Sequence, residues 1–197
     1  WHNRTGLWFY DRAGNPAKGP EGAEHLEFVF NKGNVTNVSY FDGNGNLQKN
    51  TNGYAVEERF YDHGYSVRQR FLDKTGKPCK HAFGFGERTL ELGYDEETDT
   101  YKPLTVRYLD LDGSMCMNAN GFAGICYEYT QDGILCRITM IDVQEKPCSS
   151  SDGYAVIEGK DPIEDGGFRS IICYDENGRE VERMDSTTYD GVYLKWR

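Results

Sequence analysis

A glycine follows an aspartate at the same distance, eleven residues, in five places along this chain. One offset that recurs in this way is typical of a tandem array, in which each unit contributes one piece of supersecondary structure. We predict one tandem β-hairpin repeat domain over residues 1–197, with units that begin near residues 9, 40, 71, 108 and 140. The marker pairs are Asp11 and Gly22, Asp42 and Gly53, Asp73 and Gly84, Asp110 and Gly121, and Asp142 and Gly153.

The residues between two markers have the pattern of a β-hairpin. From Gly53 the chain reads GYAVEERFYDHGYSVRQRFLD, which is two runs rich in aromatic and β-branched residues around a turn at Asp62-His63-Gly64. The fourth unit repeats the pattern around Gln131-Asp132-Gly133. Apolar residues at helical spacing with caps are not sustained anywhere. The sequence therefore predicts an all-β fold, an antiparallel meander of about five hairpins in an elongated or curved single-layer or solenoid-like sheet.

Each marker aspartate is expected to stabilise a turn at a strand end. An aspartate at the first position of a turn accepts hydrogen bonds from backbone N–H groups further on, and a glycine three residues later tolerates a left-handed conformation. The second glycine of each unit then opens the next strand. Because the fifth unit has Glu145 in place of the first glycine, we expect a different turn there.

Two insertions and the tail depart from the regular spacing. We expect the segment 96–101 to form a longer hairpin tip, and the segment 159–167 to separate the first strand of the last unit from residues 171–175. In repeat proteins such insertions map to one side, often the binding side. Residues from about 184 to 197 have lost the pattern, and we interpret them as a C-terminal cap in which Trp196 covers the core.

Charge and hydropathy narrow the classes of partner. A net charge of -10 argues against nucleic acid and anionic membrane, since such binding depends on basic patches. No apolar run approaches the roughly 20 residues that cross a bilayer, so we expect no membrane insertion. Since the chain starts at Trp1, we expect it to be a piece of a longer protein.

The cysteines follow the repeat. Cys79, Cys116 and Cys148 each come six residues after a marker aspartate, and three equivalent thiols cannot all pair with one another. This spacing favours small buried hydrophobic side chains. Cys126 and Cys136 flank a predicted turn, which leaves a cross-strand disulfide as an alternative. Zinc is disfavoured because no C-x-x-C pair or Cys/His cluster has ligand spacing.

The repeated phrases resemble a known group of repeats. These are FLDKTGKPC with GFG and YD, FDGNGN with GYA and FYDHG, and CYDENG. They resemble the tandem β-hairpin repeats of bacterial surface and secreted proteins, most closely Tyr-Asp-type arrays and more loosely cell-wall-binding and MORN-like repeats. The resemblance implies a non-enzymatic all-β module of a bacterial protein at the cell surface or in the extracellular space, with a cytoplasmic location as the alternative.

Aromatic residues recur at fixed positions of the unit. Columns that mix tyrosine with phenylalanine are expected in the core, because each repeat must bury its apolar face on the next. The column that ends the first strand of each hairpin holds only tyrosine, and we expect it to reach water. Its rings could stack on a sugar or pack a peptide. The candidate ligand-binding residues are Tyr61, Tyr94, Tyr129 and Tyr174, together with Tyr101 in the first insertion.

Catalytic and metal-binding patterns are weak. The four histidines lie apart, and no motif of a nucleophile, metalloprotease or phosphate-binding loop is present. The oxygen-rich segments at 42–46 and 110–113 lack the glutamate that completes a calcium-binding EF-hand loop. We therefore expect no catalytic residues, no metal and no cofactor.

These observations predict a non-catalytic binding or spacer module. It would present a repetitive aromatic and acidic surface to a protein or a cell-surface glycan through multivalent shallow contacts. The alternative is a glycan-active enzyme or its accessory carbohydrate-binding domain, with carboxylates of the insertions forming a cleft.

Overall fold

The computed structural model describes residues 5–163 and 167–185. Within these residues, twelve antiparallel strands follow one another in chain order as a meander, which confirms the all-β prediction. No helix occurs among the described residues, so none that could span a membrane occurs there. The strands are β1 (Gly6–Trp8), β2 (His25–Asn31), β3 (Asn34–Phe41), β4 (Val56–Asp62), β5 (Tyr65–Leu72), β6 (Glu87–Asp95), β7 (Thr100–Leu109), β8 (Gly124–Tyr129), β9 (Leu135–Ile141), β10 (Val156–Pro162), β11 (Phe168–Tyr174) and β12 (Glu180–Asp185).

The marker aspartates stabilise turns as predicted. In the second unit, Asp42 Oδ1 accepts hydrogen bonds from the backbone N–H groups of Asn44 at 2.9 Å and Asn46 at 2.8 Å. Gly45 donates its N–H to the Asp42 carbonyl and has a positive φ of 80°. The same pair of side-chain bonds occurs at Asp11, Asp73 and Asp142, and also in a sixth turn at Asp175.

The prediction of a different turn at Glu145 is wrong. The Glu145 N–H donates to the Asp142 carbonyl at 3.0 Å, and Glu145 adopts a φ of 60°, in the left-handed region that glycine occupies elsewhere. The hydrogen bonds to Asp142 and the pairing of the strands on either side hold the turn in this conformation. Glu145 is therefore held in a strained backbone conformation. Left-handed backbone costs a residue with a Cβ about 1–2 kcal/mol.

The second glycine of each unit stands three residues before the next long strand. The φ values of these glycines lie between 82° and 94°, in the left-handed region. The strands that begin three residues after Gly22, Gly53, Gly84, Gly121 and Gly153 are β2, β4, β6, β8 and β10. Three pairs of neighbouring connectors are joined by a backbone hydrogen bond outside the strands. Thr51 donates its N–H to the Glu21 carbonyl, Ala82 to Asn52, and Ser151 to Asn120.

The structure confirms the prediction for the first insertion and shows that the prediction for the second is wrong. The tip of β4 and β5 is a two-residue turn in which His63 and Gly64 have positive φ, as in a type I′ turn. The first insertion forms the longer tip between β6 and β7. The second insertion does not leave the sheet where we expected, because residues up to Pro162 extend β10 and pair with β11, which begins at Phe168.

The predicted C-terminal cap starts too early. Met184 and Asp185 still belong to β12 and pair with β11, opposite Ile171 and Ser170. The remainder of the predicted cap, including Trp196, lies outside the described residues, as do Glu164 and Asp165 of the second insertion.

By its internal contacts the chain divides into two compact units. The first comprises Trp1–Thr89 with Leu109–Ser114, and the second comprises Leu90–Tyr108 with Met115–Arg197. The prediction of one domain over the whole chain stays a prediction.

The core of the first unit is aromatic. Tyr40, Tyr54, Phe71 and Phe85 are buried, with edge-to-face or tilted ring contacts between successive members. Burial of the Tyr40 phenol raises its pKa well above the ordinary value. These residues come from the columns that mix tyrosine with phenylalanine, so the prediction that such columns fill the core is confirmed here.

The core of the second unit is more aliphatic. Phe122 and Tyr127 are buried together with Val106, Met140 and several residues of β11. Ala123 and Ala155 are fully buried at equivalent repeat positions, where each donates its N–H to a later strand. Small side chains at these positions allow the connectors to lie close to the sheet.

All six cysteines are free thiols, so the alternative of a disulfide between Cys126 and Cys136 is wrong for this structure. Cys173 is buried and the other five are partly buried. Burial raises the pKa of Cys79, Cys126 and Cys148, which keeps these thiols protonated near neutral pH. The prediction that Cys79, Cys116 and Cys148 are buried therefore holds only in part, since each of them is partly exposed.

Candidate tyrosine cluster on the β6–β7 hairpin

Three of the five predicted ligand-binding tyrosines come together in the second unit. Tyr94 near the end of β6 and Tyr101 at the start of β7 have ring centroids 5.2 Å apart and planes inclined by 51°. Tyr129 ends β8, and its hydroxyl donates to the carbonyl of Pro103 on β7 at 2.8 Å. We call Tyr94, Tyr101 and Tyr129, with the polar residues between them, the tyrosine cluster.

Tyr94 is the most accessible ring of this cluster, with 52% of its surface exposed. Its hydroxyl donates a hydrogen bond of 2.6 Å to Asp99 Oδ1, in the turn between β6 and β7. This bond is the main reason that the pKa of Tyr94 is raised above 10.0. The carboxylate therefore holds the phenol protonated and limits its rotation while the ring remains at the surface.

A lysine lies beside the rings. Lys102 forms an ion pair with Asp95, and its Nζ lies 5.6 Å from the centroid of the Tyr129 ring, within the range of a cation–π contact. The hydrogen bond from Lys102 is the largest cause of the lowered pKa of Asp95. Gly133 approaches Lys102 so closely that an added Cβ would collide with Nζ. The ammonium group is thus enclosed and neutralised, which leaves the rings and Asp99 as the outward-facing chemistry.

The other two predicted tyrosines lie elsewhere. Tyr61 belongs to the first unit, where it pairs with Ser66 across the β4–β5 hairpin. The prediction that Tyr174 ends the first strand of its hairpin is wrong, because Tyr174 ends β11, the second strand, directly before the turn at Asp175. It pairs with Val156 of β10 and with Glu180 of β12. Both are partly exposed. Within the described residues, the ring contact, the hydrogen bond and the cation–π contact that define the tyrosine cluster belong to the β6–β7 hairpin and β8 of the second unit.

Sequence reasoning missed the pairing of the polar members of the cluster. Asp95 and Lys102 flank the first insertion, and Asp99 lies within it. We singled out this insertion for its length, for Tyr101 and, under the alternative function, for its carboxylates, but predicted no partner for any of them. The pattern that could have indicated this pairing is the segment DEETDTYK at 95–102, in which several acids are followed by one lysine directly after the tyrosine. It became informative once the hairpin placed residues 95 and 102 opposite each other.

The turn carboxylates have structural partners. Asp11, Asp42 and Asp73 have lowered pKa values, with hydrogen bonds from nearby turn residues as the largest cause in each case. Among the residues the structure describes, no group of three or more His, Cys, Asp or Glu side chains is placed to hold a metal ion. The oxygen-rich segments at 42–46 and 110–113 form turns whose side-chain oxygens bind backbone N–H groups.

Comparison of the chain with protein-family models and with curated proteins gave no match.

Proposed function

We propose that this chain is a non-catalytic binding module and that the tyrosine cluster is its contact surface for a partner protein. The observation that carries the proposal is the placement of Tyr94, half exposed, beside Tyr101 and Asp99 at the tip of a hairpin. Tyrosine supplies a large, rigid contact area at low cost in conformational entropy. It is also among the residues that contribute most to binding energy in protein interfaces.

The geometry favours a polypeptide over a sugar as the partner. Stacking on a sugar uses a flat open face, whereas the planes of Tyr94 and Tyr101 are inclined to one another by 51°. Inclined rings suit contact with an apolar side chain, and Asp99 beside them can accept a hydrogen bond from a backbone or side-chain donor. The expected location at a bacterial cell surface stays a prediction.

A peptide-selection experiment tests the proposal even though the partner is unidentified. A displayed library of random peptides is enriched on the wild-type chain, and the enriched peptides are then measured on the double variant Tyr94→Ser, Tyr101→Ser. We expect this variant to lose at least about tenfold in affinity, since aromatic contacts at an interface centre contribute about 2 kcal/mol or more. The matched control is Tyr10→Ser, because Tyr10 is an exposed tyrosine of the first unit at 60%.

The outcomes separate the candidate partners. Equal binding to wild type and double variant would contradict the proposal, as would loss of binding in the control. A glycan array run on the same three proteins covers the sugar alternative. Glycan binding that depends on Tyr94 and Tyr101, without any enriched peptide, would replace the protein partner with a glycan.

A further inference from the structure

The fourth marker turn differs from its counterparts in the side chains that stabilise it. At Asp11, Asp42, Asp73, Asp142 and Asp175 the marker carboxylate accepts N–H groups from the residues two and four positions on. Asp110 instead accepts the N–H of Leu111 at 2.6 Å and the ammonium group of Lys80 at 2.7 Å. The backbone of the turn is unchanged, since the Asp110 N–H still donates to Ser114 and the Gly113 N–H to Asp110. The backbone of this turn therefore has the same hydrogen bonds as its counterparts, but the Asp110 carboxylate binds different groups.

A second acid takes over part of the capping. Asp112 Oδ1 accepts hydrogen bonds from Ser114, from N at 2.9 Å and from Oγ at 2.6 Å. At the equivalent position the other turns carry Ala13, Asn44, Thr75, Gln144 and Asn177, so an acid occurs only in this unit. Because Asn44 and Asn177 support turns of the same geometry, the negative charge of Asp112 is not required for this backbone.

The altered turn forms one wall of a cavity in the first unit. The cavity has a volume of about 290 Å³ and lies against the strands β5 and β6. Leu72, Pro78 and Leu111 give it apolar surface, while Arg68, Arg70 and Glu87 stand on the strand side. A volume of this size exceeds that of one long side chain and approaches the lower limit of small-molecule sites.

The two arginines of the cavity wall are already neutralised. Arg68 is held by Glu87 through two hydrogen bonds of 2.6 and 2.7 Å. Arg70 is held by Glu58 at 2.6 Å. Each guanidinium group therefore has a glutamate in direct contact and adds little net positive charge to the cavity.

Asp112 is the least compensated charge of this cavity. Both of its hydrogen bonds come from Ser114, and these bonds are the largest causes of its lowered pKa. Lys80 also attracts Asp112, but this attraction is the smallest of the causes, and the lysine ammonium group is bound to Asp110. Within the described residues, the cavity therefore combines apolar surface with one carboxylate whose hydrogen bonds come from a serine and not from a cation.

We infer that this cavity binds a lysine or arginine side chain of a partner polypeptide, with the aliphatic stem against Leu72, Pro78 and Leu111 and the charged head at Asp112. Long basic side chains bury their stems on apolar surface while the charge meets a polar partner. The arginines of the wall do not oppose this occupant, because their charges are balanced by glutamates. The net charge of -10 also favours a basic partner over an acidic one. The inference concerns the first unit and does not depend on the tyrosine cluster.

The probe is a lysine derivative in which both backbone groups are blocked, Nα-acetyl-lysine methylamide. It is titrated into the ¹⁵N-labelled full chain, and the backbone amide shifts of Gly86, Leu111 and Gly113 are followed. We expect saturable shifts at these amides that weaken as salt is added, because the contact is ionic. The norleucine derivative, which has a similar aliphatic stem without the charge, should bind at least about tenfold more weakly.

Two variants carry the test. Asp112→Asn installs the residue found at positions 44 and 177, so the turn should fold, and its affinity for the lysine probe should fall about tenfold or more. Asp132→Asn makes the same change of net charge at an exposed tip of the second unit and should leave the affinity unchanged.

Several results would overturn the inference. They are shifts that do not saturate, equal binding by Asp112→Asn, and equal binding of the norleucine derivative or of the corresponding glutamate derivative. Binding of n-butylamine as tight as that of the lysine derivative would assign the cavity to free amines and would overturn the assignment to a polypeptide.

Discussion

Gly86 and Leu111 share one space in the first unit. A Cβ on Gly86 would lie 2.6 Å from Leu111 Cδ2 and 3.2 Å from the Leu111 backbone N. Two units earlier the sizes are reversed. Glu24 stands at the repeat position of Gly86, Gly43 stands at that of Leu111, and the Glu24 carboxylate fills the space beside Gly43. In each pair one residue is a glycine because the other is large. In these two pairs, complementary size joins a connector to the turn of the following unit.

Gly86→Ala should lower the free energy of unfolding by about 1–3 kcal/mol, because an extra methyl group in a filled space forces its neighbours to move. The φ of Gly86 lies outside the left-handed region, so the effect is steric. Leu111→Ala should relieve it, and chemical denaturation of both single variants and the double variant should give a coupling of about 0.5–3 kcal/mol. Additive effects would show that the two side chains do not compete.

The marker turns should make the protein sensitive to acid. The pKa of Asp42 is lowered from 3.8, chiefly by the backbone hydrogen bond from Asn46. A carboxylate with a lower pKa in the folded state stabilises the fold above its unfolded pKa, and this contribution is lost as the pH falls through the folded value. We therefore expect stability measured by denaturation to fall below about pH 4. Asp42→Asn should reduce that fall, and an identical acid profile in the variant would contradict the assignment.

His81 should give a second, separate pH dependence. Its Nδ1 accepts the N–H of Phe83 at 3.0 Å, and its ring stacks on Phe85 with centroids 5.0 Å apart. Burial lowers its pKa below 6.5, opposed by the nearby charge of Glu57. The neutral ring therefore stabilises the fold above pH 6.5, and this stability is lost as the pH falls towards the folded value.

The matched variant is His81→Asn, since Asn50 and Asn118 occupy the equivalent positions and accept the same backbone hydrogen bond. We expect it to cost about 1–2 kcal/mol through lost ring contacts and to remove the loss of stability that His81 causes as the pH falls below 6.5. NMR titration of the His81 ring in the wild type should give a pKa below the ordinary value. An unshifted ring, or a pH dependence that persists in the variant, would refute the assignment.

Glu145→Gly should stabilise the fifth turn. The substitution removes about 1–2 kcal/mol of backbone strain at a φ of 60°. It also removes the hydrogen bond of 2.8 Å from Arg107, and partly exposed ion pairs contribute only about 0–1 kcal/mol. We expect a net gain of about 0.5–1 kcal/mol in thermal or chemical denaturation. Gly76→Glu, which introduces the same strain in the third turn without that arginine, should be destabilising.

Much of the fold could be predicted because its signals are local. Asp42, Gly45 and Gly53 act on their own turns through hydrogen bonds and backbone conformations that span a few residues. Any segment with the same letters therefore forms the same turn. The prediction failed at Glu145 and at the second insertion, where pairing of the flanking strands overrode the local preference.

The candidate sites could be predicted from the sequence only in part. The tyrosine column was visible, but only the hairpin between β6 and β7 brings Tyr94 to Tyr101 and Asp95 to Lys102. The wall of the cavity beside Asp112 includes Asp110, whose carboxylate is bound by Lys80, 30 residues earlier in the chain. Nothing in the local sequence of either residue specifies that contact.

The amino-acid sequence alone determined the repeat, the β-hairpins and the positions of most turns, because backbone geometry at Asp, Gly and alternating apolar residues is set by near neighbours. The tertiary structure decided which aromatic rings are buried, which tyrosines meet, and, among the described residues, which cavity carboxylate is bound by a serine and not by a cation. These outcomes depend on strand register and on contacts between repeats, where side chains distant in the chain compete for the same space and the same charge.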